Sequence, residues 1–141
     1  MSVTRVLVAN RGEIAVRVIR ACQSLGIETV AAVSDADRES MAAQMANRAV
    51  CIGPARSADS YLKVENVVAA ALGTGCDALH PGYGFLSERA PLAQACVDNK
   101  ITFVGPSAEN ITMMGDKLEA RKIARGAGVP LVPGSDQARN P

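Results

Sequence analysis

The chain has few aromatic residues. Phe, Tyr and Trp make up 3% of its 141 residues, with two Phe, two Tyr and no Trp. Its core must therefore be aliphatic and alanine-rich, a composition that suits helices laid on a parallel sheet. Histidine is almost missing too, His80 being the only one. One histidine and four scattered cysteines, with no CxxC pair, leave no zinc set. Cys22, Cys51, Cys76 and Cys96 fall in apolar patterns and read as buried, reduced thiols. An excess of one charge is also missing. Fifteen basic and fourteen acidic residues give +1 with no basic run, which argues against nucleic acid or an anionic membrane as partner. No apolar run approaches the length of a bilayer span, and nothing has the form of a signal peptide, so a cytoplasmic location is expected. There is no Walker loop, no carboxylate cluster for magnesium, and no serine or cysteine beside a histidine. The expectation is that these residues contain no catalytic group.

What is present is a repeated alternation of short apolar runs and helical patterns. Strands are expected at residues 4–9, 27–34, 49–52, 77–80 and 101–104. Helices are expected over about 13–25, 39–47, 61–72, 88–98, 107–114 and from 116 to about 126. The first carries an inner stripe of Ile14, Val18, Ile19, Cys22 and Leu25, an outer stripe of Glu13, Arg17, Arg20 and Ser24, and Gly26 as its stop. Ser60, Ser87, Ser107 and Asp116 read as helix caps, and Asp116 with Glu119 forms an aspartate version of the capping box. Tyr61, Val64, Val68 and Ala71 mark the inner face of the third helix, and Met113 and Met114 read as core. Pro91 is tolerable only in the first turn of its helix. Five strand-then-helix units give an α/β, doubly wound, mostly parallel sheet with helices on both faces. The body of the domain is expected over residues 1–134, and 135–141 read as a linker.

In such sheets ligands lie outside the carboxyl ends of the strands. The loops there hold most of the glycine, proline and unusual polar residues. They are Asn10-Arg11-Gly12, Asp35-Ala36-Asp37-Arg38, Gly53-Pro54, His80 to Glu88, and Gly105-Pro106-Ser107. His80-Pro81-Gly82-Tyr83-Gly84-Phe85-Leu86-Ser87-Glu88 stands out, because two glycines flank a tyrosine and let the backbone approach a ligand. As a bare pattern it is equally a tight turn. The Asn10-Arg11-Gly12 junction resembles half a dinucleotide fingerprint, with Asp35 in the place of a ribose-binding acid. Asn10, however, occupies the first glycine position, which disfavours a nicotinamide-dependent oxidoreductase. Lys117 lies in the first turn of the last helix, where a cation does not serve the helix dipole but suits a phosphate; a solvated lysine is the cheaper reading. Arg17 and Arg20 are most simply a solvated face, and His80 a hydrogen-bonded structural residue.

Several stretches together resemble the biotin carboxylases. They are Val8-Ala9-Asn10-Arg11-Gly12-Glu13-Ile14-Ala15 with Arg17 and Arg20-Ala21, Tyr61-Leu62, the whole His80 to Glu88 motif, Phe103-Val104-Gly105-Pro106, Met114-Gly115-Asp116-Lys117, and Val129-Pro130 with Val132-Pro133-Gly134-Ser135. The resemblance implies the N-terminal, pre-ATP-grasp domain of such an enzyme, as found in acyl-CoA, pyruvate and urea carboxylases. It implies an ATP-dependent ligase that uses MgATP and bicarbonate to carboxylate biotin on a carrier protein, in service of a carboxyltransferase and, in one branch, of fatty acid biosynthesis. By the same resemblance Lys117 contacts ATP, Tyr83 and Gly84 form a biotin-facing wall with Glu88 nearby, and Arg17 and Arg20 lie at a homodimer contact. The family's ATP-grasp domain does not occur in these 141 residues, so no turnover and weak or no ATP binding are expected of them alone. A non-catalytic interaction module of the same fold is the remaining alternative.

Overall fold

A computed structural model describes residues 3–133. The expected linker, 135–141, lies outside them. Five strands form one parallel sheet: β1 (Arg5–Val8), β2 (Glu28–Ser34), β3 (Arg48–Gly53), β4 (Ala78–His80) and β5 (Thr102–Phe103), in the order β3-β2-β1-β4-β5. The helices are α1 (Gly12–Ser24), α2 (Met41–Met45), α3 (Val64–Gly73), α4 (Ala90–Asp98), α5 (Ala108–Gly115) and α6 (Lys117–Gly126), with short 3-10 turns at Asp35–Asp37 and Ser57–Asp59.

Strand alternation sorts the core into two layers. Val6, Val8, Ala31, Val33 and Ala78 face α1 and α2, where Ala15, Val18, Ile19, Cys22 and Ala42 meet them. Leu7, Val30, Ala32 and Leu79 face α3 and α4, against Val67, Val68, Ala71, Leu92 and Cys96. Both faces of the central strands are therefore covered, as the near-continuous apolar runs require. The chain winds outward from β1 to β3 and then crosses to β4 on the other side of β1. The direction of winding thus reverses between β1 and β4, and their carboxyl ends mark the switch point.

Helix ends repeat one device. After α1, Gly26 takes φ +70, its N–H bonds to the Gln23 carbonyl, and the Ile27 N–H reaches back to Cys22. Gly75 and Gly128 do the same after α3 and α6. These are Schellman ends, in which a left-handed residue lets two terminal carbonyls be satisfied. After α4 that left-handed place is held by Lys100, at φ +59.

The caps divide. Ser107 accepts from the Asn110 amide, and the Asp116 carboxylate from the Leu118 and Glu119 amides, as expected. Glu119 does not reach back to complete a box but pairs with Lys122 at 2.7 Å. Ser60 does not cap α3: its hydroxyl donates to the Arg56 carbonyl, and α3 starts later, behind the second 3-10 turn, which Ser60 ends. Tyr61 therefore precedes α3 rather than belonging to its inner face. Ser87 is likewise not a cap. Its amide closes a turn onto the Gly84 carbonyl, and α4 begins only at Ala90, with Pro91 in the first turn. The delay allows Leu86 to enter the core.

Three burial expectations are corrected. Cys51 is exposed, because β3 is an edge strand on which only Ile52 is fully covered. Leu25 is 73% exposed, because it follows the last turn of α1. Met113 and Met114 are exposed, because α5 lies beyond β5 and buries no residue. Cys22, Cys76 and Cys96 are buried as expected.

Candidate functional site

The loops after β1 and β4 meet at the switch point. Val8 pairs with His80, and the Ala9 amide donates to the His80 carbonyl at 2.9 Å. Asn10 follows at once and is 2% exposed. Its Nδ2 donates to the carbonyls of Pro81 (2.7 Å) and Tyr83 (2.9 Å), while its Oδ1 accepts from the Arg11 amide (2.9 Å). Gly82 lies tight against it. A β-carbon added there would sit 2.7 Å from Asn10 Nδ2 and 2.7 Å from Ile14 Cγ2, and φ is +66. Glycine is thus required at that position twice over.

His80 Nδ1 accepts from the Gly82 amide at 3.0 Å, which places the ring proton on Nε2. Burial pushes the imidazole below its usual pKa, so neutral His80 is the form that holds this turn. Phe85 takes φ +45, uncommon for a residue with a bulky side chain. Its ring stacks on Tyr61, with centroids 5.0 Å apart and planes 9° from parallel.

Tyr61 ties the neighbouring loops together. Its hydroxyl donates to Asp37 (2.8 Å) and accepts from the Ser34 amide (3.1 Å). Asp37 also accepts from the Ser34 hydroxyl (3.0 Å) and pairs with Arg11 (2.8 Å). Burial opposes the charged form of Asp37, but the Tyr61 and Ser34 hydrogen bonds and the Arg11 guanidinium outweigh it and hold the carboxyl below its usual range. Burial, assisted by the Asp37 charge, pushes the Tyr61 phenol up to about 12.

Tyr83 itself is 65% exposed. Together with His80 and Gly82 it lines a largely apolar groove of about 490 Å³ along α1, to which Ile14, Arg17 and Val104 also contribute. Arg17 thus shares a surface with the Tyr83 loop, while Arg20 stands on the exposed side of α1. Gly84 is left-handed (φ +68) with open space beside it. Glu88 lies elsewhere, in a second hollow of about 450 Å³ with Leu62, Leu86 and Arg89. Lys117 is exposed at the first residue of α6 and is not among the groove's lining residues. Among the described residues no three histidine, cysteine or carboxylate side chains are grouped to hold a metal ion, and no helix is long and apolar enough to cross a membrane.

Neither the clamp made by Asn10 nor the bonds of the Tyr61 hydroxyl follow from sequence pattern alone. Asn10 was visible as the residue that spoils the dinucleotide fingerprint, and Tyr61 as one of only two tyrosines. Neither signal names the carbonyl or amide that each side chain reaches.

A family profile described as the biotin carboxylase N-terminal domain matches residues 2–111. The chain belongs to the biotin carboxylase family. It is 58% identical over 133 residues to biotin carboxylase 1 of Bacillus subtilis, covering 94% of this chain and 30% of that protein. It is 53% identical over 135 residues to the mitochondrial pyruvate carboxylase of Mus musculus, covering 95% of this chain and 12% of that one. Among solved structures it superposes with a TM-score of 0.89 at 48% identity on the biotin carboxylase domain dimer of Hydrogenobacter thermophilus 2-oxoglutarate carboxylase, in complex with MgADP, ADP and bicarbonate. There it covers 96% of this chain and 30% of the other. This chain thus spans about a third or less of the length of the relatives it matches. These relatives do not favour the nicotinamide-dependent alternative.

Proposed function

We propose that this chain serves as the N-terminal domain of a biotin carboxylase, an ATP-dependent ligase that carboxylates biotin on a carrier protein for a carboxyltransferase. The observation that carries the reading is the family match along nearly the whole chain, with the motif-bearing loops gathered at the carboxyl edge of the sheet. The Hydrogenobacter relative was solved with MgADP and bicarbonate, which supports the same nucleotide and the same one-carbon donor here.

In this reading the family chemistry forms carboxyphosphate from ATP and bicarbonate and then carboxylates the ureido nitrogen of biotin. Phosphoryl transfer of this kind depends on positioning and charge neutralisation. Lys117 supplies one positive charge at an exposed helix start, where its ammonium is free to meet a nucleotide phosphate. Tyr83 and Gly84 present a wall to the biotin ring, with Glu88 on the far side of the same loop. Arg17 and Arg20 face a homodimer partner. The magnesium carboxylates, the lid and the catalytic arginine are assigned to the length of the relatives that this chain does not cover. The 141 residues alone are accordingly expected to show no turnover and no micromolar ATP affinity by isothermal titration. A cytoplasmic location accompanies this role.

The test is a chimera in which residues 1–134 replace the matching segment of Bacillus subtilis biotin carboxylase 1. Bicarbonate- and biotin-dependent ATP cleavage by the chimera is the expected result. A folded chimera with none would overturn the reading in favour of a non-catalytic interaction module. Lys117→Ala in the active chimera should raise the KM for ATP about 10-fold, the effect of losing one charge-assisted contact.

A further inference from the structure

We propose that Asn10 is the positioning residue of the Tyr83 loop: its side-chain amide fixes the pose in which that loop meets its ligand. The inference rests, for the identity of the ligand, on the biotin-facing role given to Tyr83 above. The clamp itself does not depend on that role.

Asn10 is buried and every polar atom of its side chain is used. Both Nδ2 protons are directed to backbone carbonyls of one loop, Pro81 and Tyr83, which lie on either side of Gly82. The Oδ1 is held by the Arg11 amide, which fixes the amide plane from the β1 side. The two bonds therefore tie the loop after β4 to the loop after β1 across the switch point. There is no room for a β-carbon at position 82 between Asn10 and Ile14. His80 Nδ1 accepts from the Gly82 amide as well. The loop is thus fixed at three successive backbone positions, while the Tyr83 ring it carries is largely exposed. A rigid backbone under an exposed ring is what a binding wall needs, since an ordered loop pays less entropy on meeting its ligand. No other described hydrogen bond reaches the Tyr83 carbonyl from outside the loop.

Asn10→Ala removes both donors, and Asn10→Asp replaces them with an acceptor facing two carbonyls. In the 141-residue chain, either change should speed hydrogen exchange of the Gly82 and Ser87 amides about 10-fold, the loss of roughly one net hydrogen bond. It should also move the Tyr83 signal in 3-fluorotyrosine NMR toward its unfolded position. Amides of the β2–β3 ladder should not change. Unchanged exchange at Gly82 and an unmoved Tyr83 signal would overturn the clamp. If a variant fails to fold, the wild-type chain still decides: the Asn10 side-chain protons should form one resolved, slowly exchanging pair, and fast exchange with water would refute the clamp.

The ligand arm uses the chimera. Asn10→Ala should raise the KM for free biotin about 10-fold with the KM for ATP within about 2-fold, a split that general damage to the fold would not produce. A freed loop with an unchanged KM for biotin would refute the positioning role by removing biotin from Tyr83, and an unmoved loop would refute it by removing the clamp.

Discussion

Replacing Tyr61 by Phe isolates one hydroxyl at the carboxyl edge. The ring is 2% exposed and stacked on Phe85, and the phenylalanine keeps that packing. Two bonds are lost. Asp37 loses a donor to its charged carboxylate, worth about 1.5–3 kcal/mol, and the Ser34 amide loses its acceptor, at about 1–3 kcal/mol for an orphaned buried donor. The two overlap in one network, so about 3 kcal/mol is expected in total. For a domain of this size that corresponds to a drop of roughly 10 °C in Tm. Urea unfolding followed by circular dichroism at pH 7 measures it, with m unchanged if only stability moves. The pH dependence gives a second check. The folded-state pKa of Asp37 is depressed, so its contribution is full above the unfolded value of about 3.9 and is lost as pH falls through the folded value. The gap between wild type and variant should therefore narrow below about pH 4. The folded-state pKa of Tyr61 is raised, so its contribution is full below 10.0 and fades as pH rises toward about 12. The gap should narrow there too. A difference below about 0.5 kcal/mol at pH 7, or one that does not vary with pH, would refute the network as the source of stability.

Lys100→Gly should stabilise the chain by about 1 kcal/mol, because it relieves a left-handed lysine at the end of α4; a higher Tm is the readout. Gly53→Ala should cost about 2 kcal/mol or more, since its added β-carbon would lie 2.4 Å from the Asp59 carbonyl oxygen at φ +143; denaturant titration will show it. Lys117→Ala should leave the unfolding free energy from urea titration within about 0.5 kcal/mol of wild type, because the side chain is exposed at a helix start that does not favour a cation.

How far the sequence could be read depended on periodicity. The apolar runs at 4–9 and 27–34 mark buried strands and the Ile14, Val18, Cys22 spacing marks the inner face of α1; the alternation of side chains along a strand then yields the two core layers. Expectations failed where periodicity ends. Leu25 continues the apolar stripe of α1 on paper, but the helix stops one residue earlier, and the side chain, largely exposed, lines the groove instead of entering the core. Ser60 and Ser87 have the composition of caps. A cap, however, is defined by where the next turn closes, and a 3-10 turn and the descent of Leu86 moved both closures.

The candidate site was legible as a place before it was legible as a mechanism. Glycine, proline and unusual polar residues collect at the strand carboxyl ends, and a doubly wound sheet brings those ends to one edge. Asn10 shows what that leaves out. By the dinucleotide pattern it is a defect, the wrong residue at a tight turn. In the structure its amide reaches 71 and 73 residues along the chain to two carbonyls of a single loop. A local pattern cannot score a contact of that range, because it depends on β4 lying beside β1 with Val8 opposite His80. The residue that argues against one ligand therefore argues for the rigidity another requires, and only the strand order decides between them.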